Sequence, residues 1–113
     1  MKPLFNRTPL TPNTLAGLPL GSIKPEGWLL EQLRTQADGL TGRLHEVWED
    51  VGEHCGWLGG TGDAWERAPY YLDGLVPLAW ALDDETLKGI AMRFIEWILD
   101  SQREDGWFGP EGN

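Results

Sequence analysis

The chain has 113 residues, with 18 acidic against 9 basic side chains for a formal charge of −9, and 41% of its positions are hydrophobic. That length suits one modest domain and the composition is too apolar for a disordered tail, while no run approaches the roughly 20 apolar residues of a membrane-spanning helix. A pI near 4.5 argues against nucleic acid, whose binding depends on Lys and Arg, and the single Cys55 excludes a disulfide scaffold.

Residues 1–23 form a proline-spaced arm in which Leu4, Phe5, Leu10, Leu15, Leu18 and Leu20 follow neither a helical nor an alternating period. It reads as an extended lead-in that docks on something. Residues 1–20 lack the apolar centre of about 7–15 residues that a secretory signal needs, so the expected localisation is cytoplasmic. Residues 24–113 hold the helical signals. Pro25 is a favourable first helical position, Leu29, Leu33 and Ala37 recur every four residues, and Gly39 supplies a stop. A second helix is predicted from Leu44, Val47, Trp48 and Val51 at i, i+3, i+4 and i+7, ended by Gly52. Five glycines between 52 and 63 then make the longest loop.

Pro69 opens a predicted helix to Leu82, with Leu72, Leu75, Val76 and Ala79 on one side and Tyr70, Asp73, Pro77 and Trp80 on the other. Both faces suit burial, and Pro77 predicts a kink. Asp83 or Asp84 caps a last helix ending near Ser101, whose apolar residues cover more than half its circumference. Residues 102–110 read as a turn carrying Trp107 and Phe108, and no strand pattern occurs. So much apolar surface exceeds what these helices cover among themselves. The expected architecture is all-α, with helical hairpins and long loops, forming one part of a larger domain or an oligomer.

The chemistry-bearing stretch is 56–73. It places Trp57, Asp63, Trp65, Glu66, Tyr70 and Asp73 around the start of a helix, and flat rings beside carboxylates and hydroxyls are what a sugar site needs. Trp57, Trp65 and Trp107 lie beside glycine or acid and are the candidates for stacking, whereas Trp28, Trp48, Trp80 and Trp97 lie in helical patterns and are expected in the core. Glu66 and Asp73 would stand about 10 Å apart on one helix. Glycosidase acid pairs are about 5–5.5 Å or 6.5–9.5 Å apart, so these two are not assigned as a catalytic dyad. The alternatives are a capping Glu66 with a solvated Asp73, and Arg67 paired structurally with Glu66 or Asp63. His45, His54 and Cys55 lack zinc-ligand spacing, so no metal ligand is assigned, and no glycine-rich loop ends in Lys-Ser or Lys-Thr to cradle a phosphate.

Several motifs resemble the start of the β-L-arabinofuranosidase family, glycoside hydrolase family 127, formerly a domain of unknown function. They are Leu18-Pro19-Leu20-Gly21-Ser22-Ile23-Lys24-Pro25-Glu26-Gly27-Trp28-Leu29, Gln36-Ala37-Asp38-Gly39-Leu40-Thr41-Gly42, Trp65-Glu66-Arg67-Ala68-Pro69-Tyr70-Tyr71-Leu72-Asp73-Gly74-Leu75 and Ser101-Gln102-Arg103-Glu104-Asp105-Gly106-Trp107-Phe108-Gly109-Pro110. The resemblance implies the N-terminal portion of an (α/α)6 toroid, a six-hairpin ring around a sugar pocket. It also implies removal of terminal β-L-arabinofuranose with retention, through a cysteine nucleophile in a zinc–thiolate cluster with a glutamate. Those residues belong to a later stretch with no counterpart here, and Cys55 does not match their motif. The expectation is therefore a fragment of a glycoside hydrolase, inactive alone, that lines the pocket with Trp57, Asp63, Trp65, Glu66, Tyr70, Asp73 and Trp107. Its partners would be a carbohydrate substrate and the rest of its own catalytic domain, with no nucleic acid or membrane, and any zinc would sit in the missing C-terminal part. The turn 102–107 is also similar to one Gln-Trp repeat of the terpene cyclases, another toroid. The alternative reading is a small helical module that binds a partner protein without catalysis.

Overall fold

The computed structural model describes residues 5–111, so Leu4 of the arm and the final Asn113 lie outside the described residues. Among the described residues there are four α-helices, α1 (Trp28–Asp38), α2 (Leu40–Val47), α3 (Arg67–Leu82) and α4 (Glu85–Asp100), with short 3-10 turns at Glu49–Val51 and Gly56–Leu58. No strand is present among the described residues, and the fold is all-helical as the periodicity predicted.

α1 starts three residues later than Pro25 suggests. Gly27 adopts φ 56°, a left-handed value that no right-handed helix can include, so the helix begins only after it. Gly39 ends α1, its amide bonded to the Thr35 carbonyl at 3.0 Å, and α2 follows at the next residue. The predicted helix through Val51 is corrected: α2 begins at Leu40 and stops at Val47, because Trp48 turns extended (φ −123°, ψ 111°). The 3-10 turn after it still carries Val51 into the core, completely buried. Where α2 crosses the end of α1, Gly42 is buried and a Cβ there would collide with the Ala37 carbonyl. Only glycine permits that approach.

α3 and α4 form a tight antiparallel hairpin. Asp83 closes α3 in the left-handed region (φ 57°, ψ 40°), and the Asp84 carboxylate accepts the Thr86 and Leu87 amides at 3.0 and 3.1 Å, capping α4. Of the two candidates for that cap, Asp84 is the one used. Lys88 joins the corner, with Nζ 2.5 Å from Asp83, 2.7 Å from Glu85 and 5.8 Å from the centre of the Trp80 ring. The Lys88 hydrogen bond to Asp83 lowers the carboxyl from its ordinary value and raises the ammonium.

The core joins Ala68, Tyr71, Leu75, Leu78 and Ala79 of α3 to Leu87, Ala91 and Phe94 of α4, with Val51 and Cys55 closing one end. Tyr71 and Phe94 meet edge to face, 6.2 Å between centroids at 79°. α1 contributes only the half-buried Leu33 and Ala37, and none of its residues is fully buried. The expectation that Trp28 and Trp48 belong to the core is corrected: they are 71% and 40% exposed, while Trp80 and Trp97 are half-buried. Trp28 occupies the first position of α1, beyond the reach of the core, and Trp48 sits where the chain leaves the helix. The second face of α3 is not covered either, with Tyr70, Asp73 and Pro77 all exposed.

The residue that follows the arm, Lys24, touches the C-terminal end of α3, while Phe5, Leu10, Leu15, Leu18 and Leu20 of the arm itself are exposed. Lys24 Nζ donates to the Trp80 carbonyl at 2.9 Å and to the Ala81 carbonyl at 3.4 Å. The last turn of α3 has no basic residue of its own, so Lys24 supplies the cation that its orphan carbonyls and dipole favour. The molecule measures 44 × 42 × 19 Å, a slab about two helices thick.

Candidate functional site

The site is built on the loop that leads into α3. The 3-10 turn Gly56–Leu58 is stitched to the far side of its loop by the Gly56 amide on the Asp63 carbonyl (2.8 Å), the Gly60 amide on the Cys55 carbonyl (3.0 Å) and the Gly62 amide on the His54 carbonyl (2.7 Å). This gives a glycine-rich segment without regular structure a fixed shape. Asp63 then bends the chain towards α3. Its Oδ2 accepts the Trp65 amide at 3.3 Å, its Oδ1 forms an ion pair with Arg67, and its side chain is only 7% exposed. Arg67 Nε also reaches Asp50 at 3.1 Å, tying the loop to the preceding 3-10 turn. Of the structural alternatives for Arg67, pairing with Asp63 is the one present.

Trp57 is half-buried against the core, and its indole N–H donates to the Trp65 carbonyl at 2.6 Å. Its ring packs on Gly109 and lines an apolar cleft of about 280 Å³ with Gly106, Trp107 and Phe108. The turn presenting the last two is bonded to itself. Gln102 Nε2 donates to the Gly106 carbonyl (3.1 Å), the Arg103 amide to the Trp107 carbonyl (2.7 Å), and the Trp107 amide to Asp105 Oδ1 (3.0 Å). Ser101 Oγ accepts the Gly109 amide at 3.1 Å and anchors the turn to the end of α4. Trp107 and Phe108 remain 65% and 50% exposed on a well-held backbone.

Of the seven predicted contact residues, Trp57 and Trp107 therefore share one cleft, and Trp65 is linked to it through its carbonyl while its own ring is 64% exposed. Glu66, Tyr70 and Asp73 are exposed on α3 and do not line that cleft. The helix does reach back to Glu66, whose carbonyl accepts the Tyr70 amide at 2.9 Å, so the three share a face; the Glu66 side chain makes no capping bond. Phe108 is a cleft residue that the spacing did not single out, although its place beside Trp107 was a usable signal.

A second cleft, of about 380 Å³, gathers His45, Glu46, Glu53 and Arg93 over Phe94 and Ile90. His45 Nδ1 lies 3.3 Å from the Tyr71 hydroxyl beneath it. Burial pushes the Tyr71 phenol up to about 12, against the pull of a backbone hydrogen bond at His45 and with a small addition from the Glu46 charge.

Cys55 is fully buried, and its Sγ donates to the Asp63 carbonyl at 3.5 Å. Burial pushes its thiol up, a backbone hydrogen bond at Trp57 acts the other way, and the Asp63 and Asp50 charges add to the rise. A thiol held protonated in this way is a poor nucleophile and a poor metal ligand. Among the described residues no three His, Cys, Asp or Glu side chains are grouped to hold a metal. No helix among the described residues is long and apolar enough to cross a membrane.

No family model, curated protein or solved structure matches this chain.

Proposed function

We propose that the chain is the opening arc of an (α/α)6 toroid in a glycoside hydrolase of the β-L-arabinofuranosidase kind, lining the sugar pocket without carrying the nucleophile. The observation that carries this reading is the position of α3. It packs against α1, α2 and α4, yet Glu66, Tyr70, Asp73 and Pro77 on its other side are bare. A central helix with one covered and one uncovered face is what an inner helix of a ring needs, its free face turned to the lumen. Trp65 at its start and the cleft of Trp57 and Trp107 add rings for the C–H faces of a sugar. The four motifs of the family resemblance agree with this reading, and the slab shape agrees with an arc.

The test is made in the longest protein that the gene encodes. Replacing Trp65 by Ala is expected to weaken binding of an aryl β-L-arabinofuranoside by about 1–3 kcal/mol if the ring stacks on the sugar. Unchanged KM and kcat would remove Trp65 from the site. The 113-residue chain alone is expected to release no arabinose, and release would place the chemistry within it. A second reading, a helical module that binds a partner protein, draws on the exposed Trp28 and Leu29 of α1. A stable dimer in solution that shows no response to the glycoside would favour it.

A further inference from the structure

Asp63 was expected to touch sugar, but both of its carboxylate oxygens are engaged within the chain and its side chain is 7% exposed. The partners of those oxygens form a continuous path. Arg67, in the first turn of α3, holds Asp63; Asp63 holds the Trp65 amide; the Trp65 carbonyl receives the Trp57 indole N–H; and Trp57 forms one wall of the aromatic cleft. The Asp63 carbonyl meanwhile accepts the Gly56 amide at 2.8 Å, fixing the residue before Trp57 from the other side.

We propose that Asp63, clamped by Arg67, is a positioning residue that sets the orientation of the Trp57 ring through the Trp65 backbone instead of contacting the ligand itself. This rests on the reading of that ring as part of a sugar-stacking surface. The physical reason is that the Trp57 indole would otherwise turn about its own side-chain torsions. The hydrogen bond at Trp57 Nε1 removes that freedom only while the Trp65 carbonyl is held in place, and the Asp63 carboxylate is what bends the chain there. Two charged partners on Arg67, Asp63 and Asp50, hold its planar guanidinium in place, so the clamp is stiff at its root.

The experiment labels the whole chain with 5-fluorotryptophan and follows its fluorine resonances, assigned by single Trp→Phe variants. In Asp63→Ala, the Trp57 and Trp65 signals are expected to move or broaden while those of Trp28 and Trp80 stay in place. Asp63→Asn keeps an oxygen for the Trp65 amide but loses the ion pair with Arg67, and is expected to restore the signals in part. In the longest protein that the gene encodes, binding of methyl β-L-arabinofuranoside is expected to weaken about tenfold in Asp63→Ala and by less in Asp63→Asn. If Asp63→Ala leaves Trp57 and Trp65 unmoved, or shifts all the tryptophans together, the positioning role is overturned. If Asp63→Ala does not fold, Arg67→Gln is read in the same way, and unmoved Trp57 and Trp65 signals there overturn the role equally. Moved signals with no glycoside binding by the longest protein that the gene encodes would instead uphold the clamp and count against the sugar reading.

Discussion

The α3–α4 hairpin and α1 both carry apolar residues at helical spacing, yet α3 buries five residues and α4 three, whereas α1 buries none. α1 has clear local limits, with a left-handed Gly27 before it and Gly39 after it, but only Leu33 and Ala37 lean on the core. Local signals are enough to say where a helix runs; what it buries decides how firmly it is held. With 11 residues, α1 is shorter than the roughly 12–15 at which an isolated helix is even marginal in water, so its order depends on those few contacts. The hairpin has a cap, a bonded corner and an aromatic pair in its core.

The sharpest way to break this contrast is to hollow out the hairpin. Phe94 is 2% exposed, and Phe94→Ala is expected to cost about 3–5 kcal/mol in urea unfolding. A loss under about 1 kcal/mol would show that the hairpin does not carry the core. Next comes pH. The Tyr71 phenol is raised from 10.0 to about 12 in the fold, so the unfolded chain ionises first. Stability on the order of 2 kcal/mol is then present below about pH 10 and lost as pH rises through 12. Urea melts across that range should show the fall, and Tyr71→Phe should remove this part of it. Asp84→Ala, which takes two amide bonds from the start of α4, is expected to cost about 1 kcal/mol. Trp28→Ala, at a ring 71% exposed, is expected to change stability by less than about 0.5 kcal/mol. A larger cost would mean that α1 is covered in solution and would narrow the contrast.

Much of this was legible in the residues. The C-terminal limit of α3, the acidic corner at 83–84 and the exposed Trp107 and Phe108 follow from capping and turn chemistry, which act over a few residues, whereas α3 begins at Arg67, ahead of the Pro69 that marks its start in the sequence. The helix through Val51 was not, because a 3-10 turn carries Val51 into the core just as a further helical turn would, and spacing cannot separate the two. Tryptophan burial failed for a related reason. Periodicity assigns a residue to a side of a helix but not to a distance from the core, and Trp28 stands at the far end. The pairing of Arg67 with Asp63 was one of two alternatives in the sequence, and the engagement of both Asp63 oxygens depends on how the loop closes, which no spacing encodes.

A single residue, Gly39, separates α1 from α2, and Gly42 presses α2 against the Ala37 carbonyl, so the joint has no slack. The azimuth of α2 is thereby inherited from α1. One extra residue beside Gly39 would change the direction and roll of α2 and swing His45 away from the Tyr71 hydroxyl. Length changes should therefore be tolerated better in the loop after Gly52 than at this hinge, where a single added peptide unit would uncouple α2 from the tyrosine below.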